Sequence, residues 1–512
     1  MAGAPVELPE ELNIADYFLD RHLREGRGDR VAIRAKSGEA TYAEVRDRAH
    51  AWARTLAARG LRREERVLLA LPDSAEWVAL FFGILEVGAV VVMLNPDLSE
   101  DEVAARIDYV RPRMAIVDRE RIERYDNAAR PFPWLEDGLV VLEDGVDEAA
   151  PAIAIPVPTH RDDPAIWLFS GGTTGRPKAV VQTHRSFVNT TELYAVRTLG
   201  YGPDDITLSV PKLFFGYATG SNLLFPFAVG ASTVLFPEKP TPEVLFEQIA
   251  RHRPTILINV PTVIGRMVTH PDAAAHDLSC LRIVTSAGEA LPIALHERWR
   301  ETFGVDLLDG LGTAEMWHVF LTNRPGDVRP GTLGRAVEGF TIDVRDADGH
   351  TVPVDEIGRL WVRGDSRAIG YWQNIDQSAA AFRGEWFVGG DLVRRDADGY
   401  VTYAGRGDDA LKVAGRWLVP KEVEDCLMRH PRVIECAVVG ADLGDGLTKP
   451  IAFVRPSEGE SEGDDLVDEL KTWTLDCLDA YKHPRRITLV EDFARTHLGK
   501  IDRGALRRLA TG

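Results

Sequence analysis

Short runs of apolar residues alternate along this chain with longer stretches in which apolar residues recur every three or four positions. Apolar runs at 67–71 and 90–94 precede periodic stretches at 74–87 and 99–109. Such runs are typical of buried strands, and the periodic stretches are typical of amphipathic helices. The same alternation of strand-like and helix-like segments recurs around a helix predicted at 242–252. The pattern therefore predicts layered α/β architecture with largely parallel sheets.

The pattern changes near residue 334. Asp-Gly pairs at 348–349 and 398–399 separate short apolar runs, which predicts tight turns between strands and therefore a small β-rich region. Residues 405–409 contain two glycines and adjacent charges, which favours a domain boundary, although an ordinary polar turn has the same composition. A compact α/β tail follows, with an acidic stretch at 458–465 that we predict to be a solvated surface loop.

Charge and composition narrow the class of protein. The chain has 512 residues, 45% of them hydrophobic, and a formal net charge of −19. This net negative charge disfavours binding to nucleic acids or anionic membranes, because both bind basic protein surfaces. No apolar run approaches the roughly 18 residues of a membrane span, and no secretory signal is evident, so a cytoplasmic enzyme is expected. The four cysteines lack CxxC spacing and the thirteen histidines lack metal-ligand spacing, so neither a disulfide framework nor a zinc site is predicted.

The most informative local feature is a glycine-rich loop after the apolar run 165–169. Its glycines allow close approach of a ligand, its hydroxyls donate hydrogen bonds, and its two basic residues add positive charge, so the loop suits a polyphosphate. It is not a Walker A loop, because a proline precedes the lysine and an apolar strand-like run follows. A flexible hairpin tip is the alternative interpretation. The loop consists of Ser170, Gly171, Gly172, Thr173, Thr174, Gly175, Arg176, Pro177 and Lys178.

Five motifs follow one another in the order found in adenylate-forming enzymes, a superfamily that includes acyl- and aryl-CoA synthetases, peptide-synthetase adenylation domains and luciferases. The chain resembles this superfamily over essentially its whole length. Residues 212–217 and 315–326 are most similar to benzoate-CoA ligases. The five motifs are the 170–178 loop, residues 309–315, Gly390-Asp391, residues 405–408 and Gly499-Lys500.

The resemblance implies a division of this α/β chain into two domains. A large N-terminal domain, residues 1–405, would combine layered α/β subdomains with a β-rich subdomain and would bind the acid, ATP and Mg²⁺. Residues 406–409 would form a hinge at Asp408, and a small mobile α+β domain, residues 410–512, would carry the catalytic Lys500. A single charged hinge residue is plausible, because few dihedral angles need to absorb such a motion.

The implied chemistry explains why such residues are needed. A carboxylate resists nucleophiles because its charge repels them and oxide is a poor leaving group. Attack of the carboxylate on the α-phosphate of ATP gives an acyl-adenylate and pyrophosphate, which makes AMP the leaving group. Bringing two anions together requires cations and aligned donors. Lys500 would therefore bridge the acid and the α-phosphate, although taken alone it resembles a surface lysine near a terminus.

The resemblance also assigns the other nucleotide contacts. Glu315 would hold Mg²⁺, with Thr313 as a further catalytic residue. Asp391 would accept hydrogen bonds from both ribose hydroxyls, with Arg406 nearby. The β- and γ-phosphates would be held by Ser170, Gly171, Gly172, Thr173, Thr174, Gly175 and Lys178. Adenine would be framed by Ala287, Gly288, Glu289, Asp309, Gly310, Leu311 and Gly312.

Aromatic and small residues predict the pocket for the acid. Flat apolar walls with small residues between them suit an aromatic ring better than a long acyl chain, although aromatic runs also build ordinary cores. The residues expected at the acid are Phe214, Phe215, Gly216, Tyr217, Gly220, Ser286 and His318, the last as a hydrogen-bond donor. The predicted function is ATP-dependent activation of a benzoate-type acid, with or without hydroxy or amino substituents, followed by transfer to coenzyme A.

Four positions depart from the usual family pattern and leave the acceptor open. Gly171 stands where serine is usual, Ala179 where glycine is usual, Ala314 where threonine is usual and Ala494 where proline is usual. The first and third departures resemble stand-alone aryl-AMP ligases. The phosphopantetheine of an acyl or aryl carrier protein and a small amine or hydroxyl therefore remain alternatives to coenzyme A. A medium-chain fatty acyl-CoA ligase, a luciferase-type oxygenase and an idle scaffold protein are further alternatives, and both monomer and homodimer remain open.

Overall fold

The computed structural model of the chain describes residues 6–135, 138–153, 155–171, 177–413, 416–442, 447–457, 464–495 and 501–511. In these ranges the α-helices are α1 (Arg21–Arg24), α2 (Tyr42–Ala58), α3 (Ala75–Glu86), α4 (Glu100–Val110), α5 (Ile122–Ala129), α6 (His184–Thr190), α7 (Gly216–Thr219), α8 (Phe225–Val229), α9 (Pro242–His252), α10 (Pro261–Val268), α11 (Ile293–Phe303), α12 (Ile375–Ala381), α13 (Pro420–Met428), α14 (Asp464–Cys477) and α15 (Arg503–Thr511). The strands are β1 (Val31–Ala35), β2 (Gly38–Thr41), β3 (Arg66–Ala70), β4 (Val90–Met93), β5 (Met114–Val117), β6 (Leu139–Val141), β7 (Pro164–Ser170), β8 (Lys178–Thr183), β9 (Ile206–Ser209), β10 (Ser232–Val234), β11 (Ile256–Asn259), β12 (Ile283–Ser286), β13 (Leu307–Gly312), β14 (Val319–Thr322), β15 (Arg335–Ala336), β16 (Thr341–Arg345), β17 (Ile357–Arg363), β18 (Gly370–Tyr371), β19 (Phe382–Arg383), β20 (Trp386–Arg395), β21 (Val401–Arg406), β22 (Leu411–Val413), β23 (Arg416–Leu418), β24 (Val433–Asp442), β25 (Thr448–Pro456) and β26 (Arg486–Leu489).

Two large sheets form the first part of the molecule. Within the described ranges, one sheet has nine strands in the order β15-β14-β13-β12-β11-β9-β10-β1-β2, and the other has seven in the order β18-β8-β7-β4-β3-β5-β6. Most of their inner pairs are parallel, for example β11 with β12 and β3 with β4, whereas β7 with β8 and β13 with β14 are antiparallel. Every residue of β4 and β5 is buried, as expected for parallel strands that helices cover on both faces. The predicted α/β architecture is confirmed.

Helices α2 and α3 cover one face and cross at very short range. A capping box of Thr41 and Glu44 begins α2, and the Ser74 side chain caps α3, which fixes where each helix starts. Nearly all of α3 is buried. A Cβ atom added at Gly83 would lie 2.8 Å from the carbonyl oxygen of Ala49. Only glycine therefore permits this approach of the two helix backbones.

Antiparallel strands follow, as the Asp-Gly turns predict. In the described part of the chain β16, β17, β20 and β19 pair in that order, and β21 pairs with β20. Gly349 and Gly399 adopt φ values of +90° and +84°, a region that favours glycine. The tail contains the hairpin β22–β23 and the sheet β24-β25-β26, with α13 and α15 packed on β24 and α14 on β26. The acidic stretch at 458–465 lies mostly outside the described residues, and its last two positions belong to α14.

The described helices include no candidate for a membrane span, because none combines sufficient length with sufficient apolar character.

The close crossing of α2 and α3 predicts opposite effects for two helical glycine substitutions. Gly83→Ala pushes a methyl group against the Ala49 carbonyl and should lower the free energy of unfolding by about 1–3 kcal/mol. Gly265→Ala, in α10, meets open space and should raise it by up to about 1 kcal/mol, because alanine favours the helix. Thermal unfolding of both variants beside the wild type measures the two shifts. Equal stability of the two variants would contradict the crossing geometry.

Candidate active site

The glycine-rich loop joins two antiparallel strands of the seven-stranded sheet. Ser170 ends β7, Lys178 begins β8, and the two residues are register partners. The predicted phosphate contacts Gly172, Thr173, Thr174 and Gly175 lie outside the described residues. The structure therefore fixes the two ends of the loop, which contribute a hydroxyl and an ammonium group.

Glu315 lies beside these loop ends, although it is far away in the sequence. It is buried in a 3-10 turn, Ala314–Met316, that follows β13. Its Oε1 accepts hydrogen bonds from the hydroxyls of Ser170 at 3.0 Å and Tyr371 at 2.9 Å. Burial and the adjacent carboxylate raise the pKa of Tyr371, so this hydroxyl keeps its proton and donates. Lys178 Nζ lies 5.0 Å from the centroid of the Tyr371 ring. We call these four residues the Glu315 cluster.

The backbone of the turn that carries Glu315 is held from several directions. The Thr313 side chain accepts a hydrogen bond at 3.3 Å from an amide inside the turn. Gln182 Nε2 donates to the Ala314 carbonyl at 2.7 Å, and the Ala368 amide donates to the Glu315 carbonyl at 2.8 Å. Thr313 thus caps the turn and positions Glu315.

Trp317 has an unusual backbone conformation between Glu315 and His318. Its φ of +69° and ψ of −48° belong to a strained γ-turn region that large residues rarely adopt. The indole is buried and lies edge-on to Phe187, with ring centroids 4.2 Å apart. Strain of this kind persists only where packing enforces it, and it is concentrated at functional sites.

His318 is a buried and uncharged histidine. Its Nε2 lies 3.1 Å from the Tyr217 carbonyl oxygen and 3.1 Å from Ser221 Oγ. Because a carbonyl oxygen only accepts, Nε2 carries the proton. Burial lowers the pKa of His318 to about 4, so Nδ1 is unprotonated, and it has no hydrogen-bond partner among the described residues. The imidazole therefore offers an acceptor, where the sequence led us to expect a donor.

Two of the residues expected at the acid, Tyr217 and Gly220, lie against His318. A Cβ atom at Gly220 would lie 2.5 Å from His318 Cδ2, so this position must be glycine. The Tyr217 ring centroid is 5.4 Å from that of His318, and the Tyr217 hydroxyl lies 2.7 Å from Thr285 Oγ1. The half-buried rings of Phe214 and Phe215, which precede Gly216 in the sequence, have their centroids 4.4 Å apart.

Asp309 is a buried carboxyl group with an unpaired oxygen. It lies in β13 opposite Ser286 of β12, its register partner. Its Oδ1 has no hydrogen-bond partner among the described residues. Burial raises the pKa of Asp309 to about 8, while Ser286, the Gly310 amide and Lys421 act in the opposite direction. A buried polar atom without a partner points to a missing ligand atom or water.

The residues expected to frame adenine also have structural roles. The Glu289 carboxylate accepts hydrogen bonds from the Thr262 amide at 3.0 Å and the Thr262 hydroxyl at 2.8 Å, so it is engaged at the start of α10. Gly288 has a φ of +88°. Cβ atoms at Gly310 and Gly312 would lie 2.7 Å and 2.5 Å from backbone oxygens of the facing segment. Packing between β13 and the chain that follows it is therefore sufficient to explain these two glycines.

Asp391, Arg406 and Asp408 form a second charged group. Asp391 and Arg406 are register partners on β20 and β21. Arg406 Nη1 lies 3.6 Å from Asp391 Oδ1, and its Nη2 lies 3.4 Å from Asp408 Oδ2. The Tyr403 hydroxyl lies 3.4 Å from Asp391 Oδ1. The residue expected at the ribose and the residue expected at the hinge therefore share one guanidinium group.

Lys500 lies outside the described residues, but the chain on either side of it is anchored. Before it, Arg495 Nη2 donates to the two oxygens of Glu435 at 3.0 and 2.9 Å. After it, Arg507 Nη2 of α15 lies 2.6 Å from Asp409 Oδ1. The second contact joins α15 to the turn that follows β21.

Sequence reasoning missed Tyr371 and Gln182. Tyr371 is 56 residues from Glu315 along the chain and reaches it because β18 pairs with β8. Gln182 lies within β8 itself. Neither residue has a charge or a neighbouring glycine pattern that marks a site, so only strand pairing reveals them.

Comparisons with known proteins identify the family of this chain. A model of the AMP-binding enzyme family matches residues 19–372, and one of the AMP-binding enzyme C-terminal domain matches residues 422–500. The chain is 39% identical to the benzoate–CoA ligase of Thauera aromatica, over 98% of this chain and 97% of that protein. A solved anthranilate-CoA ligase in complex with anthranoyl-AMP has a TM-score of 0.94 at 38% identity and covers 98% of both chains. A benzoate-CoA ligase structure from Burkholderia xenovorans LB400 has a TM-score of 0.90 at 39% identity, over 97% of this chain and 100% of that one. The chain belongs to the adenylate-forming family of AMP-binding enzymes.

Proposed function

We propose that this protein uses ATP to convert an aromatic carboxylic acid into an acyl-adenylate, with release of pyrophosphate, and then transfers the acyl group to coenzyme A. The observation that carries the proposal is the Glu315 cluster, in which a buried carboxylate holds the end of a loop suited to polyphosphate. Similarity over the whole chain to benzoate- and anthranilate-CoA ligases supports the aromatic class of acid.

The first half-reaction joins two anions. A carboxylate oxygen of the acid attacks the α-phosphate, and pyrophosphate leaves. Lys178 and Ser170, with the rest of the loop, would hold the β- and γ-phosphates by charge-assisted hydrogen bonds. Glu315 fits Mg²⁺, because a buried carboxylate beside a phosphate loop is the hard oxygen ligand this ion prefers, and the bound ion would neutralise phosphate charge. Lys500 would bridge the acid and the α-phosphate.

Asp309 would bind the edge of adenine as a neutral carboxyl group. A pKa of about 8 leaves this group protonated near neutral pH, so it presents one donor and one acceptor. The adenine edge presents the complementary pair, an amino N–H and a ring nitrogen. A neutral group also avoids a further negative charge beside the triphosphate. Asp391, with Arg406 beside it, would accept hydrogen bonds from the ribose hydroxyls.

The second half-reaction needs space where Lys500 would lie during the first. We propose that residues 410–512 rotate relative to residues 1–405 about a hinge at 406–409, centred on Asp408. The contact between Asp408 and Arg406 connects this hinge to the ribose site. The phosphopantetheine of a carrier protein is the alternative acceptor, because it ends in the same thiol arm as coenzyme A.

The acid would lie against Tyr217, Gly220 and His318. The unprotonated Nδ1 of His318 can accept a hydrogen bond from an amino or hydroxyl group on the aromatic ring. Benzoate itself would leave this buried atom unpaired, which is unfavourable. The geometry therefore supports a substituted benzoate as the preferred acid.

Exchange of labelled pyrophosphate into ATP tests the proposed function. Benzoate, hydroxybenzoates or aminobenzoates should drive exchange by the wild type, and medium-chain fatty acids should drive far less. Lys500→Ala should lower the exchange rate by about a hundredfold or more, the scale of one lost transition-state contact.

The exposed Lys36 provides the matched control: Lys36→Ala should exchange like the wild type. Undiminished exchange by Lys500→Ala, or no exchange with any aromatic acid, would overturn the proposal. Addition of coenzyme A or a holo carrier protein to the same assay identifies the acceptor by its thioester.

Substrate preference tests the acceptor role of His318. His318→Ala should lower kcat/KM for the preferred amino- or hydroxybenzoate about tenfold more than for benzoate, because one hydrogen bond is lost only with the substituted acid. His296→Ala is the control, since His296 is also buried and its Nε2 also lies near a backbone carbonyl, that of Leu307 at 3.2 Å. If His318→Ala lowered kcat/KM equally for all acids, the proposed hydrogen bond between His318 and the ring substituent would be refuted.

The raised pKa of Asp309 predicts how stability varies with pH in the absence of nucleotide. The folded chain retains a proton that the unfolded chain releases above its ordinary pKa of 3.8, so this group makes stability fall as pH rises towards about 8. Asp309→Asn removes this pH dependence. The free energy of unfolding of the variant minus that of the wild type should therefore rise by about 1.4 kcal/mol for each pH unit between 3.8 and about 8. Urea unfolding at several pH values measures the difference. Asp204→Asn, at an exposed position, should show the same dependence of stability on pH as the wild type. If Asp309→Asn also showed the wild-type dependence, Asp309 would not be a neutral carboxyl group in the folded protein.

A further inference from the structure

Asp20, His50 and Glu86 converge outside the site described above. Asp20 immediately precedes α1, His50 lies in α2, and Glu86 ends α3. One ligand atom from each lies within 4.8 Å of the other two. His50 Nε2 is 3.3 Å from Asp20 Oδ1 and 3.3 Å from Glu86 Oε1. Their wide separation along the sequence explains why histidine spacing gave no sign of this group.

The close crossing of α2 and α3 creates this arrangement. Gly83 allows α3 to approach α2 at Ala49, the residue before His50. Glu86 follows Gly83 by three positions, which is about one helical turn, so it lies on the same face of α3. Asp20 makes no capping hydrogen bond at the start of α1. The helix pair thus presents an imidazole and a carboxylate to a second carboxylate from the preceding segment.

The carboxylates are buried, and apart from the contacts with His50 at 3.3 Å they lack hydrogen-bond partners among the described residues. Asp20 is 7% exposed and Glu86 is 0% exposed. None of their four carboxylate oxygens, nor His50 Nε2, has a hydrogen-bond partner among the described residues. The nearby arginines are engaged elsewhere, since Arg24 pairs with Asp16 and Arg46 with Asp47. Two buried carboxylates that share one imidazole and accept no hydrogen bond are costly, unless a metal cation offsets their charge.

The distances suit a small divalent ion. Tetrahedral coordination with bonds of about 2.0–2.1 Å places neighbouring ligand atoms about 3.3 Å apart, the separation observed from His50 Nε2 to both oxygens. One imidazole and two carboxylates form a set that suits Zn²⁺ and its neighbours, whereas Mg²⁺ prefers an octahedral shell of oxygens. The two carboxylate charges balance a divalent ion. The His50 side chain is 23% exposed, which leaves a side open for a water as fourth ligand.

We propose that Asp20, His50 and Glu86 bind one divalent transition-metal ion of the Zn²⁺ class. The ion ties the segment before α1 to the α2–α3 pair and stabilises this part of the fold. It is separate from the Mg²⁺ expected at Glu315 and takes no part in the ligase reaction.

Metal binding by the whole protein tests the proposal. EDTA-treated enzyme, in buffer without Mg²⁺ or ATP, should bind one Zn²⁺ per chain at this site in calorimetry. Saturating Zn²⁺ should raise the melting temperature by at least about 2 °C, because the ion binds only the folded state. Millimolar Mg²⁺ in place of Zn²⁺ should leave the melting temperature unchanged. Absence of Zn²⁺ binding, or an equal shift with Mg²⁺, would overturn the proposal.

Variants locate the bound ion. His50→Gln and Glu86→Gln should each lower Zn²⁺ affinity at least about tenfold. Both should remain folded without metal, since neither side chain makes a hydrogen bond through these atoms and glutamine is uncharged. Their metal-free melting temperatures provide the check. His350→Gln is the matched control, because His350 belongs to an exposed group with Asp346 and Asp348. Wild-type affinity in His50→Gln, or a loss in His350→Gln alone, would refute the assignment.

Discussion

The site depends on one buried carboxylate oxygen that accepts two hydroxyl hydrogen bonds. Glu315 Oε1 receives them from Ser170, which ends β7, and from Tyr371, which lies in β18. Those two strands belong to the seven-stranded sheet, whereas Glu315 follows β13 of the nine-stranded sheet. The contact therefore joins the two sheets where the loop begins. Gln182 strengthens the same junction through the Ala314 carbonyl, so Ser170 and the carboxylate keep a fixed relation.

The sequence predicted those parts of the molecule that local pattern controls. The helix at 242–252 has the predicted bounds, because apolar periodicity and a capping threonine mark it. The motif around Glu315 was also visible. Tyr371 was not, because strand pairing alone places its hydroxyl at the site. The acceptor state of His318 was equally hidden, since it follows from burial and from a backbone carbonyl that no sequence pattern specifies. The contacts of residues 172–176 and 496–500 stay predictions.

Burial controls charge in the proposed pocket. The chain has a net charge of −19, yet its proposed substrates are anions, so further negative charge near them would be unfavourable. Desolvation keeps Asp309 protonated near neutral pH and His318 uncharged. Positive charge remains at Lys178 and Arg406, where phosphate and ribose are expected. The interior thus contributes neutral groups with defined donors and acceptors, and Lys178 acts where the phosphate charge would lie.

The described chain is anchored on either side of residues 496–500. The Asp502 amide donates to the Ala494 carbonyl at 2.8 Å, and Arg495 is bound to Glu435. These contacts anchor the described chain before residue 496 and after residue 500 to the C-terminal part of the molecule. Under the proposed rotation of residues 410–512, the effective concentration of the Lys500 ammonium at the nucleotide would depend on the orientation of that unit. An antibody that fixes this orientation would then select which of the two proposed half-reactions proceeds.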